Sequence, residues 1–380
     1  MPYVVKKIPF EAVDDTSGLL AAIEAGEFTA DQIVAVVGKT EGNGGVNDFS
    51  RILADRVMRD FLVEHGTRDR ARARQVPVVW SGGCDGVIAP HMTVFAAVPG
   101  PDGGSAAAGA DDLRLTVGVA LSEPILPEEV GRPAMVEKVA AGVRLAMADA
   151  GIDDPADVHF VQTKTPLLTM RRIEAARGRG QTVVTEETMD SMAISNATAA
   201  LGIGVAVGEI EFPRADQIAK DLDVYCSVAS CSSGVEQDEA QIVVVGNKRG
   251  VGGDFRIGHS VMRDAIDADG IYDAIRSAGL ELPDRPRASD LGDALVNCFI
   301  KCEADPSGRL RGRRLVSLND SDIHHTHHAK AATGAVAAAA IGDPAVFCSV
   351  ASLQQGPAGG GMVAAIVDTS KAPAGAGATA

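Results

Sequence analysis

Three lysines and three serines stand in this chain where chemistry could use them. Lys39, Lys164 and Lys301 each close an apolar run: Ile33-Val34-Ala35-Val36-Val37-Gly38, Val158-His159-Phe160-Val161-Gln162-Thr163 and Leu295-Val296-Asn297-Cys298-Phe299-Ile300. Ser81 follows Val78-Val79-Trp80, Ser232 lies within Ala229-Ser230-Cys231-Ser232-Ser233-Gly234-Val235-Glu236, and Ser349 follows Ala345-Val346-Phe347-Cys348. A lysine whose pKa is lowered by desolvation or by a neighbouring cation carries a neutral amine that can take the proton of a serine hydroxyl. The hydroxyl then becomes a nucleophile, and backbone N–H groups of a small-residue turn can face the developing oxyanion. Such a pairing suggests amide hydrolysis. Taken singly, a strand-end lysine is ordinarily a solvated cap, and a serine in a glycine-rich turn ordinarily satisfies backbone. Recurrence three times at matching places argues for a site.

The elements that must position these residues recur in the same order: helix, lysine strand, helix, serine strand. Leu19 to Gly26 reads as a first short helix and residues 47–62 as the helix after Lys39, carrying Arg51. Helices are expected over residues 135–150 and, with Asn196, over 189–209. The third cycle places helices at 259–278 and, with Lys330, at 322–341. The period of roughly 130 residues is too long for a solenoid repeat. The sequence therefore predicts three similar α/β domains, at residues 1–104, 112–250 and 256–380, disposed around a pseudo-threefold axis. A Gly/Ala/Ser-rich stretch at 103–111 reads as the linker between the first two.

Composition limits the partners. The 380 residues are 46% hydrophobic, which is ample for sizeable cores. A formal net charge of −16 argues against nucleic acid or an anionic membrane as partner. No segment has the pattern of a signal peptide, and no run approaches ~18 apolar residues. Cys84, Cys226, Cys231, Cys298, Cys302 and Cys348 lie in or beside apolar runs and read as reduced core thiols, so a cytoplasmic location is expected.

Several longer motifs carry a family resemblance: Val37-Gly38-Lys39-Thr40-Glu41-Gly42-Asn43-Gly44, Val79-Trp80-Ser81-Gly82-Gly83-Cys84-Asp85-Gly86, Gln162-Thr163-Lys164-Thr165-Pro166-Leu167-Leu168, Ser230-Cys231-Ser232-Ser233-Gly234-Val235-Glu236 and Gln355-Gly356-Pro357. In this order, and over nearly the whole chain, they resemble the cyanuric acid hydrolase and barbiturase family of ring-opening amidohydrolases. The resemblance implies one central active site where the three domains meet, with one Ser–Lys pair from each: Ser81 with Lys39, Ser232 with Lys164 and Ser349 with Lys301. In the family the second pair is catalytic, so Ser232 would be the nucleophile and Lys164 its base. Ser232 is preferred to Ser227, Ser230 or Ser233 because its frame matches that of Ser81.

The same resemblance implies a substrate pocket formed by Arg51, Asn196 and Lys330, one from each domain, together with Ser81, Gly82, Ser233, Ser349, Val350, Lys39 and Lys301. Members acting on cyanuric acid have arginine at all three reading positions. Asn196 and Lys330 depart from that pattern and are similar to the barbiturase branch, which opens barbituric acid to ureidomalonate in oxidative pyrimidine breakdown. A cyanuric acid hydrolase is the near alternative, and a non-catalytic protein that binds a planar heterocycle the distant one. No cofactor is expected in catalysis. A structural divalent cation, Mg²⁺ or Ca²⁺, is implied at Glu303, Ser352, Gln355, Gly356, Pro357 and Gly360. Assembly as a homotetramer is a further implication. Val350, Leu353-Gln354 and Met362 depart from the pattern near the third serine. The run His324-His325-Thr326-His327-His328 would fan over more than one helix face, which disfavours a transition-metal site.

Overall fold

A computed structural model describes residues 1–99 and 112–372; the linker expected at 103–111 lies outside the described residues. The first unit contains β1 (Tyr3–Pro9), α1 (Ser17–Glu24), β2 (Ile33–Thr40), α2 (Phe49–Glu64), α3 (Arg70–Gln75), β3 (Val78–Gly82) and β4 (His91–Ala97). The second contains β5 (Leu113–Leu121), α4 (Pro133–Ala150), β6 (Val158–Pro166), α5 (Met170–Gly178), α6 (Thr188–Val207), β7 (Ala229–Gly234) and β8 (Gln241–Arg249). The third contains β9 (Phe255–Met262), α7 (Ala268–Ser277), β10 (Leu295–Lys301), the small hairpin β11 (Arg309–Leu310) and β12 (Arg313–Arg314), α8 (His325–Ile341), β13 (Phe347–Ser349) and β14 (Gly361–Asp368).

Each unit forms one four-stranded sheet, and the three share one topology. The orders are β1-β4-β2-β3, β5-β8-β6-β7 and, read in the same sense, β9-β14-β10-β13. In each, an opening strand pairs antiparallel with a closing strand, which pairs antiparallel with the lysine strand. The lysine strand pairs parallel with the serine strand, and register sets Lys39 opposite Ser81, Lys164 opposite Ser232 and Lys301 opposite Ser349.

Both faces of each sheet are buried, which is why its strands read as continuous apolar runs. One face packs on the unit's own helices. The other joins a core shared by all three units, including Val37, Val79, Phe95, Phe160, Val243, Phe299 and Phe347. Side chains alternate along a strand, so a residue two past a core residue points the same way. Lys39 is two past Val37, Ser81 two past Val79, Lys301 two past Phe299 and Ser349 two past Phe347. Strand alternation thus sends lysines and serines inward, at the edge of the shared core.

The expected helix at 259–278 is overturned. Residues 255–262 are the opening strand β9, paired along its length with β14, and the helix is confined to Ala268–Ser277. Ile257 enters the shared core and Met262 the unit's own core, while small polar residues between them hide the strand period. Strand β7 begins at Ala229. Helix α6 is long and apolar enough to cross a bilayer, contrary to the reading of the runs, yet 72% of its apolar window is buried inside the protein. It is a core helix, and it carries Asn196.

Rings of the second and third units meet in the shared core: Phe299 lies 4.6 Å from Phe160 and 5.7 Å from Phe347, centroid to centroid. Phe299→Ala is expected to cost about 3–5 kcal/mol through the lost burial and the cavity left between units. Urea denaturation measures it, and a cost below about 1 kcal/mol would mean the units do not depend on this core.

Candidate active site

The six residues converge. Lys39, Lys164 and Lys301 are among the most deeply buried large side chains of the protein, and Ser81, Ser232 and Ser349 are nearly buried beside them. Lys39 Nζ donates to Ser81 Oγ and to Gly82 O, both at 3.3 Å. Lys301 Nζ donates to Ser349 Oγ at 3.1 Å, to Val350 O at 2.9 Å and, across the unit boundary, to Cys231 O at 2.7 Å. Ser81 Oγ donates to Ser349 Oγ at 3.0 Å, tying first unit to third. Ser232 Oγ makes no hydrogen bond among the described residues. Of the three hydroxyls it alone is uncommitted.

Lys164 also differs from its counterparts. Its Nζ donates to Trp80 O at 2.9 Å and lies 3.5 Å from Glu236 Oε1, rather than bonding to the serine opposite it. Burial lowers all three lysines: Lys39 to about 7, helped by the Lys330 charge, and Lys301 to about 8. Lys164 also falls to about 8, with burial opposed by Glu236 and assisted by Arg51. Burial would raise the Glu236 carboxyl, but Lys164 and Arg51 outweigh it and hold the group below the usual range. Each lysine is therefore an amine poised near neutrality.

The residues expected to read the ring arrive on helices, Arg51 in the first turn of α2, Lys330 in the second turn of α8 and Asn196 near the middle of α6. Asp48 caps α2 by accepting from Ser50 N–H, and it also accepts from Gly44 N–H at 2.8 Å. This fixes Arg51, whose Nη2 donates to Gly45 O at 2.6 Å and whose buried Nε is 4.0 Å from Asp48. Gly82 must lack a side chain, because a Cβ there would stand 1.9 Å from the Asp48 carboxylate. Gly83, at φ +88°, leaves room for Lys330 Nζ, which a Cβ would meet at 2.3 Å. Lys330 Nζ donates to Gly82 O and is 2.7 Å from Asp85. Asn196 donates Nδ2 to Ala351 O at 3.3 Å, and its Oδ1 is buried without a partner. Ser233 Oγ donates to Met192 O, which anchors the turn after Ser232 on α6.

Asp85 and Glu236 lie within the sequence motifs, where nothing in the local sequence assigns them a role. Both prove to be ion-pair partners of site cations. Their signal was in plain view: each stands four residues after a serine.

The loop from Ser352 to Gly360 bears on the expected cation. Glu303, Ser352, Gly356 and Pro357 line one cavity of about 330 Å³. One carboxylate with the carbonyls of this loop is the kind of oxygen set that a hard divalent ion takes, so these residues fit such a group, although the Ser352 and Pro357 carbonyls also accept from the Gln355 and Gly360 N–H groups. The Gln355 side chain is otherwise engaged: Oε1 accepts from Cys231 N–H at 2.6 Å and Nε2 donates to Ala351 O at 2.8 Å. Only its carbonyl is left for an ion. Gly360 N–H bonds back to Pro357 O and closes the turn. The histidine run scatters: His324 caps α8, His325 faces Glu303, His327 bonds to Asp85 and His328 to Ser321. No group of three metal-ligating side chains occurs among the described residues.

Known proteins are similar to this chain over nearly its whole length. Barbiturase 1 and Barbiturase 2 of Nocardioides sp. (strain ATCC BAA-499 / JS614) are 58% and 59% identical to this chain, over 96% and 97% of it and 98% of each of them. A solved structure of a cyanuric acid hydrolase, described as an evolutionary innovation by structural concatenation, superposes with a TM-score of 0.90 at 40% identity, covering 97% of this chain and 99% of that one. Concatenation agrees with three units of one topology. The model of the amidohydrolase ring-opening protein family matches residues 4–368, and this chain is a member of that family and a cyclic amide hydrolase.

Proposed function

We propose that this protein is a barbiturase, hydrolysing barbituric acid to ureidomalonate with Ser232 as nucleophile and Lys164 as its base. The observation that carries the substrate choice is the unsymmetrical reading set. Arg51 and Lys330 are cations, whereas Asn196 is a neutral amide with a buried, unpartnered acceptor oxygen. The barbiturate anion spreads its charge over two carbonyls and the carbon between them and carries N–H groups on the other side. Two cations and one acceptor complement it. Cyanuric acid alternates carbonyl and N–H around the whole ring and asks for three equivalent donors. Identity of 58–59% to two barbiturases supports the same choice.

In this reading the neutral Lys164 amine takes the Ser232 proton as Oγ adds to a ring carbonyl. The tetrahedral adduct collapses with cleavage of the C–N bond, and the Lys164 ammonium returns its proton to the departing nitrogen. Water, deprotonated by the same amine, then cleaves the ester and frees the carboxylate. Backbone N–H groups at the serine turns hold the oxyanion. Lys164 must leave Trp80 O to reach Ser232, a rotation of one flexible side chain across the parallel pair. The Ser232 hydroxyl, uncommitted among the described residues, and the Glu236 carboxylate 3.5 Å from Lys164 favour the second pair.

A divalent cation at Glu303 and the 352–360 carbonyls would be structural, bracing the loop through which Gln355 holds β7. The proposal also includes a homotetramer, tested by light scattering, and a cytoplasmic setting, in keeping with six free cysteines. Ring opening is followed by loss of ultraviolet absorbance. The specificity constant for barbituric acid should exceed that for cyanuric acid by about 10²-fold or more. Equal or better use of cyanuric acid would overturn the substrate assignment.

A further inference from the structure

Each reading residue faces the serine turn of the next unit around the axis. Lys330 of the third unit donates to Gly82 O in the first, at 3.4 Å. Asn196 of the second donates to Ala351 O in the third, at 3.3 Å. Arg51 of the first acts by its charge on Glu236 and Lys164 of the second. Counting four residues on from each serine gives Asp85, Glu236 and Leu353. By position the corresponding pairs are Lys330 with Asp85, Arg51 with Glu236, and Asn196 with Leu353; the first is in direct contact, the second is coupled through charge while Arg51 keeps Asp48 at 4.0 Å, and the third is a correspondence of position.

Where the fourth residue is an acid, the reader of the preceding unit is a cation. Asp85 lies 2.7 Å from Lys330, and His327 binds the same carboxylate at 3.1 and 3.2 Å. Leu353 lines a cavity with Met192 and Ala193, on the turn of α6 that precedes Asn196, and offers no polar atom to it. We infer that the residue four positions after each serine is the second half of the specificity determinant, an acid holding a cationic reader in place and an apolar residue admitting only a neutral one. The physical reason is burial. Lys330, Arg51 and Asn196 are 2%, 6% and 3% exposed, and a buried cation stripped of its counter-charge is strongly disfavoured, whereas a neutral amide beside leucine needs no such partner. The acid also takes up one direction of the cation's hydrogen-bonding capacity and so aims the rest at the ring. Asp85 and Glu236 are positioning residues in this sense, and Leu353 is the reason an arginine is out of place at 196.

The inference deepens the ring-opening reading and rests on it. Its test is a double-mutant cycle on the full chain: wild type, Asn196→Arg, Leu353→Glu and the double variant, each assayed for kcat and KM on barbituric and on cyanuric acid, with thermal unfolding beside the kinetics. Asn196→Arg alone should lose at least about tenfold in kcat/KM on both rings. Adding Leu353→Glu should restore use of cyanuric acid at least about tenfold above the product of the single effects, chiefly through KM. Additive effects of the two substitutions in folded proteins would overturn the inference. Should the double variant not fold, the cycle moves to Asp85→Asn and Lys330→Met. There Asp85→Asn should raise KM about tenfold with kcat largely kept, Asp85→Glu should recover most of it, and Asp85→Asn should add nothing once Lys330 is methionine; independent effects would overturn the inference. If the wild type opens neither ring, the functional reading falls instead, which the same assay shows in its first column.

Discussion

Ser232→Ala yields a folded protein whose opening of barbituric acid falls by about 10³-fold or more. The substitution removes one hydroxyl that bonds to nothing among the described residues, so little folding energy goes with it and a surface-like change within about 0.5 kcal/mol is expected. What it removes from catalysis is the covalent route itself. Ser81→Ala and Ser349→Ala act otherwise. Each breaks the 3.0 Å bond between these two hydroxyls and a lysine contact, so substrate is held less well, and the main effect is a higher KM with measurable turnover kept. Steady-state kinetics on the three variants separate the roles, and mass spectrometry of the wild type quenched during turnover should find an acyl adduct on the peptide containing Ser232. More than a trace of activity in Ser232→Ala would move the nucleophile to another serine.

Lys164→Met brings a loss of similar size, and the pH profile shows why. A base must be neutral to accept a proton, and burial has brought Lys164 from the usual lysine value to about 8. The neutral fraction therefore grows as pH rises to 8, and kcat/KM should climb along an acid limb with an apparent pKa near 8 before levelling. Glu236 raises this value, because its negative charge favours the ammonium. Glu236→Gln should then shift the acid limb to lower pH, so that the variant keeps more of its own maximum at pH 6.5 than the wild type does, although the maximum itself is reduced because the ammonium formed in the reaction has lost its counter-charge. Lys39 and Lys301 titrate nearby, so the limb belongs to the cluster as a whole. An acid limb unmoved by Glu236→Gln would separate that carboxylate from the base. A profile unchanged in shape by Lys164→Met would separate the lysine from the chemistry.

The recurrence was legible in the chain itself. Lysine strands show as β-branched apolar runs because both sheet faces are buried, and Gly82 and Gly83 show as glycine because a side chain would strike Asp48 or Lys330. Helix α4 followed from its amphipathic pattern and α6 from its Ala-rich composition, and both they and α8 lie within a few residues of where they were expected. Strand β9 did not, since a half-polar opening strand beside a helix has no strong period of its own and is defined only by its pairing with β14. Recurrence at strand ends marked the six lysines and serines, the resemblance supplied their roles and the three readers, and local sequence accounts for their direction, because alternation along a strand points Lys39 the way of Val37.

Partnership across units was not legible. Lys164 on Trp80 O, Lys301 on Cys231 O, Lys330 on Asp85 and Gln355 on Cys231 N–H each join residues at least 70 positions apart. Sequence names the groups that can hydrogen-bond. It does not say which turn of another unit lies within 3 Å of them, and that distance depends on how three sheets settle on one shared core. Local pattern is set by each residue's neighbours in the chain, whereas the protonation and aim of a buried amine are set by whichever carbonyl or carboxylate the packing of other elements carries to it.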